Sequence, residues 1–188
     1  MTTYILCGGN DSEYPQFGVN LQKVVKERVE DIKLLDVYFA GDDDKAKARF
    51  DDWSGWFEEY FPDIERVLAT KSDFATQVAW ANVIFIHGGS TEKLLRELPN
   101  FNEVKKVLRD KIYIGSSAGA NYVAEHFLSQ DNGVQSGAGI LKINVAVHYN
   151  ADSDLGRSVE DAHILEDNFL SIRTLRIKEG EFEVIEYE

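Results

Sequence analysis

Short apolar runs alternate along the chain with longer stretches whose apolar residues recur every three or four positions. The short runs predict buried strands over residues 4–7, 33–40, 66–70, 83–87 and 112–115. The longer stretches predict helices over residues 18–29, 45–61, 73–81, 92–98, 102–109 and 120–128. Because this alternation is typical of βαβ units, it predicts an α/β fold with a mostly parallel sheet and helices on both faces.

The last part of the chain has a different pattern. Residues 171–178 and 182–187 form two β-rich runs around Glu179-Gly180-Glu181, which predicts a C-terminal antiparallel hairpin at one edge of the sheet. Ligands of open α/β sheets bind beyond the carboxyl ends of the strands. The loops that begin at Gly8, Gly41, Gly88 and Ser116 are therefore the places where we expect a site.

Composition limits the classes of protein to consider. The chain has 188 residues, 44% of them hydrophobic, with 3 prolines and no polar linker, so we expect a single domain over residues 1–188. Its formal charge of −13 argues against nucleic-acid or anionic-membrane partners, which need a basic surface. One cysteine, no basic leader and no run of membrane-spanning length favour a cytoplasmic location.

The segment Gly115-Ser116-Ser117-Ala118-Gly119 lies between a predicted strand and a predicted helix. This is the strand-turn-helix setting of a G-x-S-x-G nucleophile elbow, in which glycines allow a tight turn and the helix start offers free N–H groups. The motif predicts Ser117 as an activated nucleophile and the Ala118 N–H as a first oxyanion donor. A small-residue turn with an N-cap serine is the plainer interpretation.

Three segments of the chain resemble peptidase family S51, which includes peptidase E and cyanophycinase and shares the fold of class I glutamine amidotransferases. They are the strand and glycine turn at residues 88–95, the elbow at residues 115–120, and the pair His148-Tyr149. The resemblance implies Ser117 as nucleophile, His148 as its base, and an oxyanion hole at Gly88, Gly89 and Ala118. Ser90 stands where the family usually has a substrate-facing asparagine.

The base can also be sought among the four histidines. His126 is expected on the helix that leaves the elbow, about 13 Å beyond Ser117 along the helix axis, and His163 on a short acidic helix. His148 ends the apolar run over residues 140–147, at the carboxyl edge of the sheet. His148 is therefore the preferred base, and His87 is its rival.

The acid that would orient the base is less well defined. Asp131 follows the elbow helix, as the acid of peptidase E does, and Asn132, Glu125 and Asp152 are alternatives. Arg157 is the proposed cation for a substrate carboxylate, with Arg173 as its alternative.

Other features have simpler explanations. Cys7 is expected to be a buried, unreactive thiol, and the run Asp42-Asp43-Asp44 to precede a helix. Asp152-Ser153-Asp154 lacks the further ligands of a calcium loop, so no metal and no cofactor are expected. The aromatic stripe Trp53, Trp56, Phe57 and Tyr60 indicates a core face or a homodimer surface.

Together these observations predict a serine peptidase that resembles peptidase E and cleaves a small peptide or an aspartyl-type amide through an acyl-enzyme on Ser117. The substrate class follows from the resemblance, since its members cleave after aspartyl residues. Two alternatives remain: a catalytically silent binding or regulatory module of the same fold, and a small α/β-hydrolase-like esterase, which His87-Gly88-Gly89 would suit.

Overall fold

The computed structural model describes residues 1–98, 106–129, 133–152, 156 and 159–187. The described strands are β1 (Thr2–Cys7), β2 (Lys33–Val37), β3 (Glu65–Leu68), β4 (Val83–Ile86), β5 (Ile112–Ser116), β6 (His126–Ser129), β7 (Gly133–Ser136), β8 (Ile143–Ala146), β9 (Arg173–Arg176) and β10 (Phe182–Tyr187). The described helices are α1 (Pro15–Lys26), α2 (Ala46–Asp52), α3 (Ser54–Tyr60), α4 (Phe74–Trp80), α5 (Thr91–Glu97), α6 (Ala118–Val123) and α7 (Val159–Asn168). Short 3-10 turns occupy Asp11–Glu13 and Asp43–Lys45.

The main sheet has six strands in the order β10-β1-β5-β4-β2-β3. All neighbours are parallel except β10, which runs antiparallel to β1. The predicted α/β class, with a mostly parallel sheet and an antiparallel C-terminal strand, is therefore confirmed. Register places Phe182 opposite Cys7, so the turn before β10 lies at the carboxyl end of β1.

A second sheet of four strands has the order β7-β6-β8-β9. Here β9 lies parallel to β8, with Arg173 opposite Ile143, while β10 belongs to the main sheet. The predicted C-terminal hairpin is therefore wrong in its pairing. The turn at residues 179–181 carries the chain from one sheet to the other, because β10 finds its partner in the buried strand β1.

Apolar side chains alternate between the two faces of the main sheet, as the period of a strand requires. On one face Ile5 packs with Phe17 and Leu21 of α1 and with Phe57 of α3. On the other face a larger cluster joins Leu6 to α4, α5 and α6, and it continues into the second sheet through residues such as Val145 and Leu175. Helices thus cover both faces, and burial of each large apolar side chain contributes roughly 1.5–3 kcal/mol.

The predicted helix over residues 45–61 is two helices, α2 and α3, separated at Trp53. The aromatic stripe on this segment packs inward: Phe57 is buried, and Trp53, Trp56 and Tyr60 lie against the core around it. The core interpretation of the stripe is confirmed for these residues.

The helix that leaves the elbow is shorter than predicted. It ends at Val123, because Ala124 is extended and residues 126–129 pair as β6 with β7 and β8. His126 therefore begins a strand, where its ring stacks on Phe169, and its predicted helical position is wrong. Of the predicted helix over residues 102–109, residues 102–105 lie outside the described residues.

Candidate active site

Ser117 occupies the turn between β5 and α6 in a backbone conformation that is rare for a side-chain-bearing residue, with φ 49° and ψ −104°. The Ser117 N–H donates to the Cys7 carbonyl at 3.1 Å. The turn requires its glycines, since a Cβ on Gly119 would lie 2.3 Å from the Ile86 carbonyl oxygen. The sequence thus builds the strained elbow that the G-x-S-x-G pattern predicts.

His148 lies beside this serine. Its Nε2 is 2.9 Å from Ser117 Oγ, and the two residues are 31 positions apart in the sequence. The His148 N–H donates to the Gly8 carbonyl at 2.9 Å, and the ring packs so closely on Gly9 that a Cβ there would lie 2.2 Å from His148 Cε1. Only glycine fits at position 9, and the ring is buried with 5% of the residue exposed.

The other nitrogen of His148 is paired with Glu179, in the turn between β9 and β10. Nδ1 lies 2.7 Å from Glu179 Oε1, and both side chains are more than nine-tenths buried. Serine, imidazole and carboxylate therefore form a continuous hydrogen-bonded chain. Such a chain can draw a proton from the serine hydroxyl and stabilise the imidazolium that results.

Glu179 is the site residue that the sequence analysis missed. The strand that follows Glu179 could have indicated its position. An antiparallel strand paired with β1 must begin at the carboxyl edge of the sheet, so the turn that precedes it must lie at that edge too. Asp131 and its alternative Asn132 lie outside the described residues. Asp152 is exposed, and neither Asp152 nor Glu125 is hydrogen-bonded to His148 in the described part of the chain.

The glycine turn after β4 faces the elbow. A Cβ on Gly88 would lie 3.2 Å from Ser117 Cβ, so this residue stands directly against the serine. Among the residues that the structure describes, the N–H groups of Gly88 and Gly89 have no acceptor. Ala118 is the first residue of α6, where a backbone N–H has no partner within the helix.

Ser90, predicted as a substrate contact, immediately precedes α5. Its Oγ accepts a hydrogen bond from the Lys93 N–H at 3.1 Å and donates to Glu92 at 3.1 Å. The side chain thus acts as a helix N-cap.

His87, the rival base, has a different environment from His148. Its Nε2 is 2.5 Å from Asp36, which also accepts a hydrogen bond from Arg66 Nε at 2.7 Å. The His87 ring stacks between Tyr38 and Phe85, each with centroids 4.1 Å away. Burial lowers the pKa of His87 against the opposing effect of Asp36. Among the described residues His87 forms no hydrogen bond to Ser117, and its Nε2 is paired with Asp36 instead.

A cavity of about 340 Å³ opens beside Ser117 and His148. Arg49 lines it and donates from Nη1 to the Gly88 carbonyl at 3.2 Å, with its guanidinium over the Tyr38 ring. Within the described part of the chain Arg49 forms no ion pair with a carboxylate. In a protein of charge −13, an arginine without an acidic partner leaves a positive charge facing the cavity.

Asp11 forms part of the wall of the same cavity, although only 2% of it is exposed. Its carboxyl accepts hydrogen bonds from the Ser116 hydroxyl and, at 3.2 Å, from the Gly9 N–H. Burial raises the pKa of Asp11 to about 7, with Glu179 adding to the rise and the two hydrogen bonds opposing it. A carboxyl group that is about half protonated at pH 7, and largely neutral only below that pH, therefore lies next to the elbow.

The remaining predicted residues lie elsewhere. Arg157 is outside the described residues, and Arg173 is exposed and paired with Glu183 at 3.7 Å. His163 is exposed on α7, as predicted. Cys7 is fully buried, and burial raises the pKa of its thiol well above the usual value, which opposes formation of a thiolate.

Two other features are absent from the residues that the structure describes. None of the helices they form is long and apolar enough to cross a membrane. No group of three or more His, Cys, Asp or Glu side chains among them could hold a metal ion.

The fold and the site together define an α/β protein with a nucleophile elbow and a serine-histidine-glutamate chain. Residues 39–183 match peptidase family S51, and the chain belongs to this family. No curated protein matches the chain. Among solved structures, the chain is similar in fold to a protein provisionally named peptidase E from Listeria monocytogenes EGD-e, with 14% identity, a TM-score of 0.59 and full coverage of both chains.

Proposed function

We propose that the protein is a serine peptidase that cleaves a small peptide or an aspartyl-type amide through an acyl-enzyme on Ser117. The observation that carries the proposal is the hydrogen-bonded chain from Ser117 Oγ through His148 to Glu179, with distances of 2.9 and 2.7 Å. Membership of a peptidase family supports a hydrolase of this type.

The first half of the reaction forms the acyl-enzyme. His148 Nε2 takes the Ser117 proton as Oγ attacks the scissile carbonyl carbon, and Glu179 stabilises the imidazolium. The N–H groups of Gly88, Gly89 and Ala118 stabilise the negative charge on the carbonyl oxygen. His148 then returns the proton to the leaving nitrogen, and the amine departs.

The second half regenerates the enzyme. Water enters from the open side of the cavity, gives a proton to His148 and attacks the ester carbonyl. The tetrahedral intermediate collapses, the acid product leaves, and the proton returns to Ser117. Every proton is accounted for by His148, so this mechanism needs no group beyond the residues named.

A covalent probe tests the nucleophile directly. A fluorophosphonate should form an Oγ–P bond at Ser117 with release of fluoride, since only an activated serine reacts. Ser117→Ala should abolish labelling, whereas Ser116→Ala keeps the reactive hydroxyl and serves as the control. Absence of labelling in the wild-type protein would favour the silent binding module.

The position of Arg49 in the cavity wall supports the proposal that the substrate carries an anionic group. Its guanidinium is the cation that lines the described cavity, and a planar bidentate contact with a carboxylate could overcome the long-range repulsion of an acidic protein. We therefore propose Arg49, as an alternative to Arg157, as the residue that selects an aspartyl side chain.

Dipeptides that differ only in the first side chain test this assignment. Peptides with N-terminal aspartate should be cleaved faster than the matching asparagine peptides, and Arg49→Gln should reduce that preference about tenfold or more. Arg173→Gln is the matched control, because Arg173 is 69% exposed and paired with Glu183. Arg157→Gln tests the earlier candidate in the same assay. Equal cleavage of the aspartate and asparagine peptides by the wild type would remove the aspartyl assignment.

A further inference from the structure

The loop after β1 contacts all three segments that build the hydrogen-bonded chain. Three consecutive backbone carbonyls accept from them: Cys7 from the Ser117 N–H at 3.1 Å, Gly8 from the His148 N–H at 2.9 Å, and Gly9 from the Gly180 N–H at 3.2 Å. The relative placement of serine, histidine and glutamate therefore depends on this one stretch of backbone.

Asn10 continues this stretch with a side-chain contact. Its Nδ2 donates to Glu179 Oε1 at 2.8 Å, and this is the same oxygen that lies 2.7 Å from His148 Nδ1. The contact depends on a left-handed backbone at Asn10, with φ 50° and ψ 30°, a conformation that asparagine tolerates better than most residues.

Two nearby side chains join this loop to the elbow and to the Glu179 turn. Asp11 ties the loop to the elbow by accepting from the Gly9 N–H at 3.2 Å and from the Ser116 hydroxyl. The Tyr14 ring packs against Gly180, where a Cβ would lie 2.2 Å from Tyr14 Cγ. Burial and the carboxylates of Glu179 and Glu13 raise the pKa of Tyr14, whose hydroxyl is also hydrogen-bonded to Glu179.

We propose that Asn10 is a positioning residue that fixes the Glu179 carboxylate against His148. This inference rests on the proposed serine peptidase activity. A glutamate side chain has several rotatable bonds, and a second donor on Oε1 restricts the carboxylate to the orientation in which it faces Nδ1. Asn10 lines the cavity beside Ser117, and in the proposed reaction it acts through its hydrogen bond to Glu179.

Three variants separate this role from a structural one. Asn10→Gly removes the amide and keeps the left-handed backbone, so we expect the rate constant of fluorophosphonate labelling to fall about 10- to 100-fold. Asn10→Asp replaces the donor with a carboxylate facing Glu179 and should lower the rate further. Asn150→Gly is the matched control, because Asn150 is exposed and has the same left-handed backbone with φ 52°. It should label within about twofold of wild type.

A second measurement does not depend on catalysis. The His148 Nδ1 proton should give a low-field NMR resonance because it is hydrogen-bonded to Glu179, and Asn10→Gly should shift or broaden that resonance while Asn150→Gly leaves it unchanged. If the Asn10→Gly variant is labelled at Ser117 at the wild-type rate and its His148 resonance is unchanged, the inference is overturned. If the wild-type protein is not labelled at all, the proposed activity fails, and the resonance alone decides the role of Asn10.

Discussion

Glu179 lies 2.7 Å from His148 Nδ1, although its turn joins strands of two different sheets. The second sheet delivers His148, through the segment that follows β8, and Glu179, through the segment that follows β9. The main sheet delivers Ser117. The site therefore forms where the two sheets meet, and each side chain reaches it from the carboxyl end of a parallel strand.

Replacement of Glu179 tests its assignment as the third member. Glu179→Gln keeps the shape of the side chain but removes the charge that stabilises the imidazolium, so labelling of Ser117 and peptide cleavage should fall about 10²- to 10⁴-fold. Glu181→Gln, two residues away and exposed, should retain wild-type rates. An Asp131→Asn variant with the larger loss would return the role to the aspartate predicted from the sequence.

The two candidate histidines should differ in what their loss damages. His148→Ala should reduce peptide cleavage to nearly the level of Ser117→Ala, and the double variant should be no worse, because the two residues act as a unit. His87→Ala should instead lower the free energy of unfolding by about 2–4 kcal/mol, since it leaves a cavity beside the buried Asp36–Arg66 pair. Urea titrations and rate measurements on both variants check this contrast.

The elbow conformation predicts an unusual order of stability. Ser117 has φ 49°, which glycine adopts without strain, so Ser117→Gly should be more stable than Ser117→Ala by about 1 kcal/mol. Thermal melts of the two inactive variants measure the difference. If Ser117→Ala proved the more stable, the backbone at this residue would carry no strain.

Asp11 predicts a pH dependence of stability. Its pKa is raised from 3.8 to about 7 on folding, so the folded state binds the extra proton between these values. Stability should therefore fall as pH rises from about 4 to 7, by up to about 1.4 kcal/mol per pH unit from this group. Asp11→Asn should flatten that dependence, whereas the exposed Asp152→Asn should not. Urea unfolding at pH 5 and pH 8 gives the comparison, and parallel slopes in wild type and Asp11→Asn would contradict it.

Short-range sequence patterns predicted those parts of the site that are formed by residues close together in the sequence. The apolar run before Gly115 and the glycines around Ser117 define the elbow without any knowledge of the rest of the chain, and His148 follows from the end of another apolar run. The bounds of α5, Thr91–Glu97, likewise lie within one residue of the helix predicted over residues 92–98.

The missed features depend on contacts between distant residues. Residues 126–128 belong to the helix predicted over residues 120–128, but pairing with β7 and β8 makes residues 126–129 a strand. The segments on either side of Glu179 have the sequence pattern of a hairpin, but in the fold β10 pairs with β1 and β9 pairs with β8. Nothing in the sequence singles out Arg49, because its place in the cavity wall, without an acidic partner among the described residues, depends on the folded chain.

The pairing of β10 with β1 also determines when, during synthesis of the chain, the site can be completed. Protein synthesis proceeds from the amino toward the carboxyl terminus, so the elbow and His148 leave the ribosome before Glu179, and β10, the strand that anchors the Glu179 turn, follows them. A partly synthesised chain would thus hold a serine and its base without the carboxylate that orients them. In the proposed mechanism, the protein can therefore hydrolyse its substrate only after β10 has paired with β1.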